Sequence, residues 1–200
     1  MKTIYKLMAS SLLALISVSA QANLISNGSF ESNPQANGSW NNYANLIGWT
    51  GGAHGIELRN NVAGAAFDGL NYVELDTTVN SSMSQNVATN AGETYTLSFA
   101  YSPRAGVSAA SNGIAFSWNG VQVAALTGNG VGSGNVWQIY SYTVTATGVT
   151  SKVAFAAYGL SDGVGGSLDA VNMNAVPEPT TVALFALGLF GLAFLRRRKQ

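Results

Sequence analysis

Between residues 23 and 176 the apolar positions recur every second residue, and no three-to-four-residue spacing runs through this stretch. That period belongs to strands with one face buried. The clearest run is 93–101, where Tyr95, Leu97, Phe99 and Tyr101 share one face and Thr94, Thr96, Ser98 and Ala100 the other. Residues 152–158 alternate likewise, with Val153, Phe155 and Ala157 on one side. Residues 71–76 place Tyr72, Glu74 and Asp76 opposite Val73 and Leu75. Asn119-Gly120 supplies the positive φ values of a type I′ turn, so 114–118 and 121–126 form a hairpin. Its expected register sets Trp118 opposite Val121 and Phe116 opposite Val123. Further strands are expected at 23–31, 47–50, 56–58, 82–87, 136–145 and 167–173. Residues 32–44, interrupted by Pro34, and 60–69 read as loops. Nine or ten short strands separated by turn signals predict an all-β sandwich or barrel.

The two ends break this pattern. Lys2 and Lys6 precede an apolar stretch, 8–18, and then the small-x-small site Ala20-Gln21-Ala22. This is a signal peptide, 1–22, whose apolar helix is too short for a lasting span. At the other end Pro177-Glu178-Pro179 interrupts helix and sheet alike, because each proline fixes φ and removes a donor. An uncharged run, about 180–195, follows, and then Arg196, Arg197, Arg198 and Lys199. In lipid such a run must satisfy its own backbone, so a transmembrane helix is expected. Sixteen residues rise roughly 24 Å, short of a ~30 Å bilayer core, and the long basic side chains bridge the difference by snorkelling. The basic cluster stays cytoplasmic, which places the domain outside the cytoplasm. One domain, 23–175, is left between the signal peptide and the apolar, basic-ended tail, 176–200.

Composition narrows what that domain can do. The chain has no Cys, which excludes thiol catalysis and disulfide staples, and His54 is the sole His, which excludes a multi-His centre within one chain. The domain holds three basic side chains (Arg59, Arg104, Lys152) and eight acidic ones, a formal charge of −5. Nucleic acid is therefore not an expected partner. Divalent cations and neutral ligands suit this balance better.

The tail, with its Pro-Glu-Pro tripeptide, short apolar run and basic end in that order, resembles the PEP-CTERM sorting signal of Gram-negative bacteria. The resemblance implies recognition by an exosortase, cleavage near Pro177-Glu178-Pro179, and release or transfer to the cell surface. A second resemblance rests on NGSFE at 27–31, Trp49, YVELD at 72–76, YTLSF at 95–99, Trp137 with Tyr142, and SLDAV at 167–171. In this order they are similar to the galactose-binding-like jelly rolls, which include carbohydrate-binding modules and DUF642-type proteins. That likeness implies paired first and last strands and a structural calcium, with Glu31 and Asp169 as carboxylate ligands and backbone carbonyls beside them.

Candidate chemistry follows. Glu57, Glu74 and Asp76 are a carboxylate set of the type glycosidases use, but since nothing else in the sequence marks a catalytic cleft they are read as the solvated face of an edge strand. His54, in a Gly-rich loop, reads as exposed. Sugar rings stack on aromatic faces, and the domain is rich in them. Trp49 and Trp137 are assigned to the core. Trp40 and Tyr43, in the Asn-rich stretch GSWNNY, are the candidate carbohydrate-binding pair. The expected function is a non-catalytic surface or matrix protein that binds polysaccharide. A purely adhesive surface protein and a glycan-acting enzyme remain open beside it.

Overall fold

The computed structural model describes residues 22–177; the predicted signal helix and transmembrane helix lie outside them. Twelve strands form two antiparallel sheets. They are β1 (Ser39–Tyr43), β2 (Asn45–Leu46), β3 (Trp49–Gly51), β4 (Ile56–Asn60), β5 (Asn71–Glu74), β6 (Ser82–Ala88), β7 (Thr94–Ser102), β8 (Gly113–Trp118), β9 (Val121–Leu126), β10 (Gln138–Thr145), β11 (Thr150–Tyr158) and β12 (Ser167–Ala175). Sheet A runs β1-β4-β5-β12-β7-β10 and sheet B runs β2-β3-β6-β11-β8-β9. The architecture is the expected jelly-roll sandwich.

The core lies between the two inner faces, as period-two patterning requires. Leu97, Phe99 and Tyr101 of β7, Phe116 of β8, Phe155 of β11 and Leu168 of β12 are all buried in it. Phe155 packs edge-on to Phe99 at 5.0 Å and stacks on Phe116 at 5.5 Å, and Trp49 joins from β3 at 6.2 Å. In β12 the period breaks at Ala170, where φ is 49° and the register against β7 shifts between Asp169 and Asn172. This bulge lets Leu168, Val171 and Met173 all face inward, although their spacing is odd.

Three expectations change. The stretch 32–44, read as a loop, contains strand β1, because Ser39–Tyr43 pairs along β4 from Asn60 to Ile56. Residues 23–31 form turns, not a strand, because Asn27 and Phe30 take positive φ of 51° and 63°. The segment still lies along β12: Leu24 N donates to Met173 O at 2.8 Å and Val171 N to Gly28 O at 2.9 Å. The hairpin forms with Asn119 and Gly120 at φ 50° and 83°, and Trp118 does face Val121. A bulge then sets Phe116 opposite Ala124, not Val123, so Ala124 and Leu126 pack on the core while Val123 stays exposed.

Candidate functional site

Parity along the strands of sheet A builds the site. Leu58 and Val73 point to the core, so Glu57 and Arg59 of β4 and Tyr72 and Glu74 of β5 project from the outer face. The register sets Glu57 beside Glu74, Arg59 beside Tyr72, and Trp40 of β1 beside Arg59. These charges are buried, with exposures of 2% for Glu57, 3% for Arg59 and 0% for Glu74. Arg59 Nε donates to Glu57 Oε1, and Arg59 Nη1 lies 3.0 Å from Glu74 Oε2. Arg104, from the β7–β8 loop, reaches Glu74 Oε1 at 3.3 Å, and Gly165 N donates to the same oxygen at 2.8 Å. Burial pushes the Glu74 carboxyl up to about 7, against the pull of Arg59 and Arg104. The solvated edge face expected for these carboxylates is thus corrected. β5 lies inside sheet A, between β4 and β12, and loops cover its polar face.

The cover comes from residues 61–70 and 127–137. Asn135 Nδ2 and Trp137 Nε1 both donate to Ala65 O, each at 3.0 Å. Trp137 stands edge-on to Tyr72 at 5.7 Å and to Phe67 at 6.3 Å. It is half-buried on the outer face, so its assignment to the core is also corrected. Underneath, the Tyr72 hydroxyl faces Arg59 and Asn135. Neither that hydroxyl nor Asn135 Oδ1 has a hydrogen-bond partner, although both atoms are buried. Unpartnered buried polar atoms are rare in folded proteins, and their convergence marks a place where a polar ligand gains.

Glu31 and Asp169 anchor the cover. Glu31 Oε1 accepts from Leu70 N at 2.8 Å and Asn71 N at 2.7 Å. Asp169 Oδ2 accepts from Phe67 N at 2.8 Å and Asp68 N at 3.0 Å, and Oδ1 from Ala170 N. Burial, with a smaller push from neighbouring Asp68, raises the Asp169 carboxyl to about 7 against the pull of its backbone amide donors. Neither carboxylate has an ion-pair partner among the described residues, where no cluster of three or more acidic or His side chains gathers, so a hard cation here would need backbone carbonyls besides.

The other candidates separate. Trp40 and Tyr43 lie on strand β1, three residues apart, and therefore on opposite faces. Trp40 is 55% exposed on the outer face, while Tyr43 packs against the core and donates to Gln35 Oε1. A shared stacking platform is excluded by that parity. His54 is exposed. Asp76 makes no ion pair with the arginines that hold Glu74 and caps the 162–163 turn through two amides at 3.1 Å. Sequence reasoning missed Arg59, Arg104, Tyr72 and Asn135. For Arg59 a signal existed: it shares a strand face with Glu57, and so had to pair with the carboxylates there.

The sandwich fold is matched by solved structures of carbohydrate-binding modules. TmCBM61, solved in complex with β-1,4-galactotriose, aligns at a TM-score of 0.50 and 18% identity over 78% of this chain and 100% of its own. A family 16 carbohydrate-binding module aligns at 0.50 and 16% identity over 76% of this chain and 99% of its own. At such identities the likeness concerns the fold. Residues 175–199 match the PEP-CTERM protein-sorting motif, which marks an exported protein anchored and processed at its C-terminus. Among curated proteins, the multifunctional-autoprocessing repeats-in-toxin of Vibrio cholerae serotype O1 is 33% identical over 74% of this chain, and that of Vibrio vulnificus 32% over 80%. The chain spans about 3% of the length of these relatives.

Proposed function

We propose that this is a surface protein of a Gram-negative bacterium, processed by an exosortase, whose sandwich binds carbohydrate without catalysis on the outer face of sheet A. One observation carries the reading. Two buried, unpartnered polar atoms, Tyr72 OH and Asn135 Oδ1, sit beside the Arg59–Glu74 pair, with exposed Trp40 alongside. Sugar hydroxyls partner such atoms, and the indole of Trp40 offers an apolar face for a ring. Glu57 and Glu74 share one arginine, an arrangement that orients hydroxyls of a bound ligand. Calcium, held by Glu31 and Asp169, would fix the 61–70 cover from below.

The test is retention on a panel of acidic and neutral polysaccharides, including the producer's own. Tyr72→Phe is expected to weaken binding about tenfold while leaving the domain folded with a melting temperature close to that of the wild type. Trp40→Ala is expected to lose on the order of 1 kcal/mol of binding, again without loss of stability. If the wild type is retained by no polysaccharide, the adhesive reading replaces this one. Binding that survives both substitutions would move the site elsewhere.

A further inference from the structure

We infer that the end of the sandwich from which the chain leaves for its sorting tail is a lipid-docking surface, resting on the bilayer while the tail is in place. The inference rests on the proposed exosortase processing, before which the apolar run at 180–195 holds the chain in the membrane. Strand order persists to the edge of the tail: Ala175 pairs with Tyr95, and Val176 N donates to Thr94 O at 2.8 Å. The uncharged run begins at Thr180, so only residues 177–179 intervene. Fully extended, three residues reach no more than roughly 11 Å, and two of these are prolines that stiffen the path. A span starting so close leaves this end of the domain no room to stand clear of the headgroups.

The surface there fits that partner. It consists of the turns 89–93 and 146–149, the hairpin tip 119–120, and Leu24. Gly92 N to Ala146 O at 2.8 Å, Thr89 N to Val149 O at 3.0 Å and Asn119 N to Lys152 O at 2.9 Å tie them together. Exposed apolar side chains project from it: Leu24 at 37%, Val121 at 70%, Val149 at 78% and Val176 at 43%. Charge is nearly absent. The two charged side chains here offset each other: the Glu93 carboxylate, which accepts from Asn90 Nδ2 and the Tyr95 hydroxyl, and Lys152. Asp76, Asp162 and Arg104 lie at the opposite end, so an anionic leaflet repels most of a domain of formal charge −5 and tolerates this end.

Because the chain lacks Cys, single labels are clean. The full chain with its tail, carrying Val149→Cys with an environment-sensitive fluorophore, is reconstituted into vesicles of phosphatidylethanolamine and phosphatidylglycerol. Its emission is expected to shift to the blue and to be quenched by spin-labelled lipid headgroups, whereas a label at Ser108→Cys, at the far end, does neither. A chain that floats with the vesicles while the Val149→Cys label stays water-like overturns the docking surface and leaves the anchored precursor standing. A chain that fails to float overturns both.

Discussion

Glu74 and Asp169 each carry a charge that burial opposes, and both titrate near neutrality. Their folded-state values are raised above the ordinary 4.5 and 3.8 to about 7. The folded protein therefore holds these protons where the unfolded chain has released them. That contribution to stability is complete below the unfolded values and is lost as pH rises through about 7. The stability of the metal-free domain, and with it the melting temperature, should accordingly fall between about pH 4 and pH 7 and level off above, the stability by at most about 1.4 kcal/mol per pH unit for each carboxyl. Glu74→Gln should flatten part of that slope. Added calcium should flatten the share of Asp169, since a bound cation favours the ionised form. Melting curves across the range check both, and a slope indifferent to Glu74→Gln and to calcium would show that the two groups titrate elsewhere.

Elements differ in how far the sequence announces them, and the difference is one of range. The Asn119-Gly120 turn and the inward face of β7 were legible because the residues that cause them are adjacent. The turns at 23–31 were not, since Asn27 replaces strand pairing with side-chain bonds to Ile47 O and to Ser32 N. The alternation of Tyr72 and Glu74 showed that β5 has two unlike faces; whether loops cover the polar one is decided by contacts with Ala65, Asn135 and Trp137, up to 72 residues apart. For the same reason Trp137 read as core. Gly64 tests the cover as an element. Its φ is 144°, and a Cβ there would meet Asn135 N at 2.3 Å. Gly64→Ala should cost about 1–3 kcal/mol and raise hydrogen exchange over 61–70 and 127–137 while the core strands keep their protection. A loss of protection spread evenly over both sheets would mean that the cover does not open as a unit.

At the scale of the whole molecule, the last strand fixes where processing can act. β12 is not an edge: it pairs with β5 on one side and β7 on the other, and its residues 172–175 face β7 as far as Tyr95. Met173 is fully buried, and its carbonyl accepts the amide of Leu24, so the last strand also holds the start of the domain. A cut before Ala175 would unpair an interior strand and open the core beneath it. A cut at or after Pro177 removes nothing on which the fold depends. Surface-extracted protein should therefore have an intact mass that begins near Asn23, ends at Pro177 or a few residues beyond, and lacks the apolar run. A chain comprising residues 23–177 should melt as the whole domain does, whereas one ending at 172 should lose several kcal/mol, the usual cost of emptying a buried methionine site together with its strand pairing. If the surface form retains the apolar run, the protein is permanently anchored; if the chain ending at 172 melts like the longer one, β12 does not close the sandwich as described.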